Sequence, residues 1–263
     1  MHIQYYDIGL NLFTRSFPDP EKIIADAEAA GIRCILTGSE ARDNEQVNAF
    51  TKNHDLYGTA GIHPHCTDTA KEEDIARIRE IIQSNPRIVA VGETGLDYDH
   101  MYAKKENQLR FFKKLIDLAE ELKKPMFLHE RDAAEDFIRC FEGHDELCRR
   151  SVVHCYTGDR ATLEKLLDMG FYIGITGWIC DERRGDDLRD AVKILPLDRV
   201  MVETDAPYLT PRGFRLPRTN VPQNIVYVAE TLARYMGVSQ EKLEKAAREN
   251  TEKLFRISGQ EEK

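Results

Sequence analysis

Short apolar segments of the kind that form buried parallel strands recur eight times along this chain of 263 residues. Such strands are continuous apolar runs because both faces of a parallel sheet are covered. Five of them lead directly into an acidic or imidazole side chain, at residues 60–65, 89–93, 126–129, 151–154 and 200–205. The carboxyl ends of parallel strands meet at one edge, where α/β enzymes place their chemistry. The repeated placement therefore predicts a functional site at that edge.

Strands and helices alternate along the whole sequence. Strands are predicted at residues 3–9, 32–37, 57–61, 88–92, 125–128, 151–153, 171–175 and 200–204. Helical periodicity and capping residues mark residues 20–30, 71–84, 104–123, 162–169, 188–195, 224–235 and 240–255. This alternation predicts an α/β protein with a closed (β/α)8 TIM-type barrel rather than an open sheet. The length suits one barrel, so residues 1–263 are predicted to form a single domain.

The net charge of −9 argues against a protein that coats nucleic acid through a basic surface. Several arginines nevertheless follow predicted strands, at Arg131, Arg183, Arg184, Arg212, Arg215 and Arg218. They would concentrate positive charge on one face, or they are ordinary surface residues. Trp178 follows the seventh predicted strand, where its ring would stack on a base or pack against neighbouring loops.

The sequence offers few signals for membrane insertion, secretion or disulfide bonding. No apolar run approaches the roughly eighteen residues that span a bilayer, and no secretion signal is evident, so a cytoplasmic protein without a membrane partner is expected. The six cysteines form no CxxC pair and are expected to be small buried residues rather than disulfide partners. A nucleophilic role for Cys155 is not expected.

Three residues at successive strand ends point to a metal. Glu93 follows the fourth predicted strand, and the glycines around it, Gly92 and Gly95, allow close backbone packing. His129 and His154 are each the first polar residue after an apolar strand. A lone histidine there is more often a buried structural residue, but two beside a carboxylate favour a divalent ion. Mixed histidine and carboxylate ligands suit Mg²⁺, Mn²⁺ or Zn²⁺.

Further polar residues at the same edge are candidates for catalysis and substrate binding. Asp205 ends the eighth strand and could act as a general base on a metal-bound water, or it caps a loop before proline. His63 and His65 flank Pro64, and one of them, with His63 favoured, could donate to a substrate phosphate, or it is a structural loop histidine. Arg131 shares the alternating face with His129 and could hold a phosphate bidentately. Asp97 is expected to support a ligand or cap a helix rather than to bind metal.

Six segments together resemble the TatD family of metal-dependent deoxyribonucleases. They are residues 61–65, 92–98, 129–133, 154–158, 203–209 and 250–255, and they span nearly the whole chain in the family's order. Residues 174–185 further resemble one branch of that family.

The resemblance implies a TIM-type barrel of the metallo-dependent hydrolase superfamily that hydrolyses DNA with Mg²⁺. The expected activity is 3′–5′ exonucleolytic cleavage of single-stranded DNA by a metal-activated water, with the preference between DNA and RNA left open by the sequence. It implies Glu93, His129 and His154 as metal ligands, and Asp205 as a catalytic or ligating carboxylate. Glu93 and Asp205 are thus the expected catalytic carboxylates, with DNA 3′ ends as partner, a monomeric enzyme and DNA repair as the setting.

One departure from the family concerns the first strand. Most members carry His-x-His at its end and so supply two ligands to a first metal, whereas this chain has Gly9 and Asn11 there. We therefore expect one tightly held ion, with a second ion weakly bound or brought in by substrate phosphate.

Two other functions compete with the nuclease. A small-molecule amidohydrolase on the same barrel would often carry a carbamylated lysine after strand four, where this chain has Glu93. A binding protein that lost catalysis is the second rival. The joint presence of Glu93, His129, His154 and Asp205 argues against it, because binding alone would not require all four.

Overall fold

A computed structural model of the protein describes residues 3–257, so residues 1–2 and 258–263 of the predicted domain lie outside the described part. Eight strands belong to one sheet and follow each other in sequence order. They are β1 (Tyr5–Leu10), β2 (Ile32–Leu36), β3 (Tyr57–Ala60), β4 (Ile88–Asp97), β5 (Met126–Arg131), β6 (Val152–His154), β7 (Tyr172–Ile175) and β8 (Val200–Val202).

Helices connect these strands and follow the last one. They are α1 (Pro20–Ala29), α2 (Ala41–Asn53), α3 (Glu72–Ser84), α4 (Lys105–Leu122), α5 (Ala134–Cys140), α6 (Asp145–Arg149), α7 (Arg160–Met169), α8 (Asp186–Ala191), α9 (Ile225–Met236) and α10 (Gln240–Phe255). Short 3₁₀ turns lie at residues 64–66, 177–180, 192–194 and 222–224. No helix within residues 3–257 is long and apolar enough to cross a membrane.

The contacts of the described chain group it into two compact units. The first unit comprises the chain up to Ile35, Cys155–Asp168 and the chain from Tyr172 onward. The second unit comprises Leu36–His154 and Met169–Phe171.

In the first unit, the chain beyond β8 lies beside β1. Leu10 forms a parallel bridge to Ala206, and the amide of Asn11 donates to the carbonyl of Ala206 at 2.9 Å. The last strand therefore returns to the first, as a closed strand order requires. Together with the sequential order of the sheet, this pairing confirms the predicted (β/α)8 class.

In the second unit, β3, β4, β5 and β6 pair in parallel. An aromatic cluster packs behind them, with the rings of Phe112 and Phe137 5.4 Å apart and those of Phe141 and Phe171 5.0 Å apart. All four side chains are fully buried. Burial of this much aromatic surface holds α4 and α5 together in this unit.

Strand β4 is longer than predicted. It runs on to Asp97, and all ten of its residues are buried. The prediction that Glu93 follows this strand is therefore wrong, since Glu93 lies within it. A Cβ on Gly92 would come within 2.2 Å of the Phe127 carbonyl oxygen, and one on Gly95 within 1.8 Å of that of His129. The glycines allow this approach, so the polar sequence continues as a strand.

Other boundaries also differ from the prediction. Strand β5 continues to Arg131, so His129 lies within a strand, and His154 is the last residue of β6. Helices α2, α5 and α6 were not among the predicted helices. The buried face of α2 carries Asn44, Asn48 and Thr51 with a single valine, so no apolar stripe marks it in the sequence.

Candidate metal centre

Parallel pairing in the second unit aligns the predicted metal ligands. His129 and His154 are paired across β5 and β6, so their side chains leave the same face of the sheet. Glu93 lies on the neighbouring strand β4, preceded by a cis Gly92–Glu93 peptide bond. His63 comes just before the turn at residues 64–66. The structure therefore brings together four of the predicted site residues.

One carboxylate oxygen is the meeting point of this cluster. Glu93 Oε1 lies 2.8 Å from His154 Nε2, 3.2 Å from His63 Nε2 and 3.2 Å from His129 Nδ1. Glu93 and His154 are buried, with 5% and 3% of their surfaces exposed. Three imidazole nitrogens thus converge on one buried oxygen.

The second nitrogen of His129 faces another carboxylate. His129 Nε2 lies 3.3 Å from Asp97 Oδ2, but this buried nitrogen makes no well-formed hydrogen bond. Asp97 Oδ2 also lies 2.6 Å from His65 Nε2 and 3.0 Å from His100 Nδ1. Asp97 therefore lies between a predicted ligand and two further histidines, His65 and His100, neither of which the sequence assigned to a metal.

Asp97 is itself fixed by the backbone. Its Oδ1 accepts from the amides of Asp99 and His100 at 3.1 and 2.9 Å, and its own amide donates to Gln108 at 2.8 Å. It therefore stabilises the turn after β4 and contacts His129, a predicted ligand, but it does not cap a helix, since α4 begins only at Lys105. Spacing alone could not find His65 and His100, because turns bring them to Asp97.

The ionisation of the cluster follows from these neighbours. Burial alone would raise the pKa of Glu93, but His63, His154 and His129 outweigh burial and hold that pKa well below its ordinary value. Burial lowers the pKa of His63 to about 4 against the pull of Glu93. Burial opposes protonation of His129 as well, yet Asp97 and Glu93 raise its pKa.

The proton of neutral His63 can be placed. Its Nδ1 accepts from the amide of His65 at 3.2 Å. The proton of the neutral ring therefore resides on Nε2, which faces Glu93. The ring is consequently oriented as a donor at the centre of the cluster.

These residues fit a divalent ion. Ligand atoms of His63, Glu93 and His129 lie within 4.8 Å of one another, and so do those of His65, Asp97 and His100. An ionised carboxylate with imidazoles is a ligand set that divalent ions accept.

Arg131, the predicted phosphate ligand, ends β5. Its Nη2 lies 3.5 Å from Asp99 Oδ2, and about a quarter of its side chain is exposed. Its Cα pairs with that of Asp97, which places it at the end of the β4–β5 ladder.

Asp205 belongs to the first unit, in the segment after β8. It adopts a left-handed backbone with φ of 54°, which is uncommon for a residue with a side chain. Its Oδ1 accepts a hydrogen bond from Asn11 Nδ2 at 2.8 Å. Asn11 is one of the two positions that depart from the family's His-x-His, and sequence analysis missed this contact.

Sequence analysis also missed the role of Asp7. Asp7 is fully buried and accepts hydrogen bonds from the amide of Thr204, at 2.9 Å, and from its hydroxyl. Burial raises the pKa of Asp7 to about 7 although Thr204 opposes the shift. Glu203, also buried, accepts from the amide of Cys155 at 2.6 Å. These contacts give Asp7 and Glu203 structural roles beside the predicted base.

Residues 6–256 match the family described as TatD related DNase. The chain belongs to this family. It is 39% identical, over 95% of its length and 99% of the relative's, to the 3′-5′ ssDNA/RNA exonuclease TatD of Erwinia amylovora. It is 38% identical to the protein of the same name from Erwinia tasmaniensis, over 96% of this chain and all of that one.

Solved structures agree on the fold. The TatD homologue YJJV of Escherichia coli superposes with a TM-score of 0.89 at 27% identity, covering 98% of this chain and all of that one. The family match and this superposition confirm the resemblance to the TatD family and the predicted TIM-type fold.

Proposed function

We propose that this chain is a metal-dependent exonuclease that removes nucleotides from the 3′ end of single-stranded DNA and RNA. The observation that carries the proposal is the convergence of three histidines on Glu93 in a chain of this family. The names of the relatives from Erwinia support the polarity and the substrate. The amidohydrolase alternative has no comparable support.

Glu93, His129 and His154 are proposed to hold the ion, for which Mg²⁺ is our first choice, with Mn²⁺ and Zn²⁺ as alternatives. Such an ion supplies Lewis acidity to a phosphate and to an attacking water. Asp97 keeps the His129 ring in place through its approach to Nε2. The low pKa of Glu93 keeps this carboxylate ionised and ready to ligate near neutral pH.

The other predicted residues are proposed to handle the substrate. His63 carries a proton on Nε2 and would donate it as a hydrogen bond to a phosphate oxygen. Arg131 would bind phosphate through its guanidinium. Asp205 would accept the proton of the attacking water, with Asn11 fixing its Oδ1.

The expected resting metal content is one ion for each chain. Gly9 offers no side-chain ligand, and Asn11, whose Nδ2 donates to Asp205, offers only a neutral amide oxygen, a weaker ligand than imidazole. A second ion would enter with the phosphate oxygens of the substrate, which can complete an Mg²⁺ shell.

An oligonucleotide assay tests the proposed function. A single-stranded DNA labelled at its 5′ end should shorten stepwise from its 3′ end when Mg²⁺ is present, and EDTA should stop it. His129→Ala should be inactive, whereas His144→Ala should match the wild type, since His144 contacts Glu120 on the protein surface. Internal first cuts, shortening from the 5′ end, or hydrolysis that persists in EDTA would contradict the proposal.

The domain organisation, oligomeric state, location and cellular role of the protein are also predicted. We propose that the whole chain is a single hydrolase domain, supported by the family match over residues 6–256, and that it is monomeric. Calorimetry should then give one unfolding transition, and light scattering the mass of one chain. A cytoplasmic location and a role in DNA repair stay predictions, testable by fractionation and by the damage sensitivity of a deletion strain.

A further inference from the structure

The first unit contains a cavity of about 430 Å³ between two loops. One loop carries the 3₁₀ turn after β7, and the other follows β8. Its polar and aromatic lining includes Trp178, Asp181, Arg184, Arg212 and Arg218. The volume lies within the range of pockets that bind small molecules, roughly 300–1,000 Å³. We call this cavity the arginine pocket.

Positive charge is concentrated around a single buried acid at this pocket. Asp181 Oδ2 lies 3.0 Å from Arg183 Nη2, 3.3 Å from Arg184 Nη2 and 3.3 Å from Arg212 Nε. The guanidinium of Arg183, more than the other partners, holds the pKa of Asp181 well below its ordinary value.

The charged side chains that line the arginine pocket favour the binding of an anion. The cavity is lined by three arginines, Arg184, Arg212 and Arg218, against the one carboxylate of Asp181, which leaves two positive charges. The chain as a whole carries −9, so this surface is opposite in sign to the average. Guanidinium groups bind phosphate oxygens in a planar, directional way.

The pocket also offers a stacked aromatic platform. The guanidinium of Arg184 lies over the Trp178 ring, 4.1 Å from its centroid. Both groups line the cavity, together with the apolar side chains of Leu209, Leu216 and Pro217. Nucleobases stack on indole rings and on guanidinium planes. A base and a phosphate therefore have complementary partners side by side.

Buried contacts hold the first of the two loops in place. Arg189 Nη1 donates to the carbonyls of Ile179 and Asp181 at 3.1 and 3.0 Å. The Trp178 amide donates to Thr176 Oγ1 at 3.3 Å, which caps the turn that carries the ring. The lining on this side is therefore fixed before any ligand binds.

The loop after β8 is anchored as well. Asn220 is fully buried, and its Nδ2 donates to the carbonyls of Thr204 and Tyr208 at 3.0 and 2.7 Å. Thr210 Oγ1 donates to the carbonyl of Arg218 at 2.9 Å, which closes the loop on itself. Preorganised loops on both sides lower the ordering entropy that binding costs.

We propose that the arginine pocket is a subsite for one nucleotide of the substrate strand. Arg212 and Arg218 hold a backbone phosphate, and the Trp178–Arg184 stack receives the base. This inference rests on the proposed function and deepens it. An oligonucleotide that is long enough to reach this pocket should bind the protein more tightly than a shorter one. A phosphodiester carries one negative charge, so it neutralises part of the excess positive charge in the pocket.

The protein provides its own reporter for this subsite. Trp178 is the only tryptophan in the chain, so fluorescence excited at wavelengths that tyrosine does not absorb reports on this pocket alone. The test titrates the full-length protein in EDTA with single-stranded oligothymidylates of increasing length, and with thymidine monophosphate in a separate series. We expect oligonucleotides to quench the fluorescence of Trp178 with a higher affinity than the mononucleotide. Their affinity should fall as the salt concentration rises.

Two arginine variants form a matched pair for this titration. Arg212→Gln should weaken oligonucleotide binding about tenfold and reduce the salt slope by about 0.7, the value for one phosphate contact on a single strand. Arg183→Gln is the control, because Arg183 shares Asp181 and is similarly exposed but does not line the cavity. It should change the affinity less than twofold, and melting curves confirm that both variants fold.

The outcomes separate the subsite from the proposed function. Oligonucleotide binding seen by anisotropy without any change at Trp178, or equal losses in Arg183→Gln and Arg212→Gln, overturns the subsite even when hydrolysis with Mg²⁺ is intact. Quenching by the mononucleotide alone overturns it too, since the pocket then holds a product and not the strand. Quenching by oligonucleotides in a protein that never hydrolyses them supports nucleotide binding here but refutes the exonuclease.

Discussion

Glu93 in the second unit and Asp7 in the first are both buried carboxylates on strands, yet their pKa values shift in opposite directions. Imidazoles of His63, His154 and His129 surround Glu93 and hold its pKa well below the ordinary value. Among residues 3–257, the donors to Asp7 are Thr204 and the Gly9 amide, and burial raises the pKa of Asp7 to about 7.

The difference teaches that burial does not decide the charge of an acid. Burial is the largest influence on both groups and raises the pKa of both. The groups that can carry positive charge beside Glu93 reverse its effect, whereas the hydroxyl and amides around Asp7 do not. Glu93 is therefore prepared to ligate a cation, while Asp7 is a structural group that loses part of its stabilising effect once ionised.

The largest expected effect comes from removing the charge of Glu93. Glu93→Gln leaves the imidazoles in place but takes away the anion on which they converge, so metal affinity and activity should both collapse. We expect activity to fall by about 10⁴-fold or more, as when one member of a joint catalytic group is lost. His129→Ala and His154→Ala should behave alike. Residual turnover above about one per cent at saturating Mg²⁺, with the fold intact, would sink the assignment.

A smaller loss of activity is expected when Asp205, the carboxylate that follows β8 in the first unit, is neutralised. Asp205→Asn keeps the size of the side chain and can still hydrogen-bond Asn11, but it removes the base. Turnover should fall on the order of 10²- to 10⁴-fold, with the melting temperature nearly unchanged. Kinetics and calorimetry on the same preparation check this. Preserved turnover with a large drop in melting temperature would instead make Asp205 a loop-forming residue.

The next prediction concerns the dependence of stability on pH at Asp7. Its folded pKa of about 7 lies above the unfolded value of 3.8, so the folded state binds the proton more tightly between these limits. Its contribution to stability is therefore complete at low pH and is lost as pH rises through about 7. Asp7→Asn does not titrate, so the variant should lack this loss.

Denaturation at several pH values measures that effect. Between pH 4 and pH 8 the free energy of unfolding of the wild type should fall relative to Asp7→Asn by up to about 4 kcal/mol. The same comparison with Glu93→Gln should show the opposite sign below about pH 4.5, where the unfolded carboxyl takes up a proton and the folded one, with its lowered pKa, does not. Parallel pH profiles of the wild type and Asp7→Asn would show that Asp7 is ionised throughout.

The smallest expected effect is on metal stoichiometry. Dialysed wild-type protein should retain one ion for each chain, whereas Gly9→His combined with Asn11→His should retain more and bind Zn²⁺ or Mn²⁺ more tightly. The matched control Asn11→Ala also breaks the contact with Asp205 but adds no ligand. Two firmly held ions in the unaltered chain, by elemental analysis, would refute our interpretation of strand β1.

Much of the fold was predictable because it depends on local chemistry. Apolar runs located all eight strands, and the period of α4 and α10 located these helices nearly to the residue. The placement of Glu93, His129 and His154 after apolar residues indicated that their side chains share one site. Local patterns sufficed there because parallel pairing turns equivalent positions on neighbouring strands into spatial neighbours.

Other features were decided by tertiary contacts. Strand β4 passes through Gly92 and Gly95 because β5 lies close enough to pair with it, which a polar stretch of sequence does not reveal. Helix α2 buries amide side chains that form hydrogen bonds elsewhere, such as that of Asn44 with the Gly61 carbonyl at 2.8 Å. Neither feature leaves a periodic apolar signal.

The contacts that determine the chemistry of the site were the feature least predictable from the sequence. The residue types at the strand ends determined that a metal centre and a TatD-type hydrolase should be expected. The sequence could not determine that Asn11 holds Asp205, a residue 194 positions away, or that three arginines share Asp181. It also could not give the opposite pKa shifts of Glu93 and Asp7, because a pKa depends on the groups that folding brings within a few ångströms.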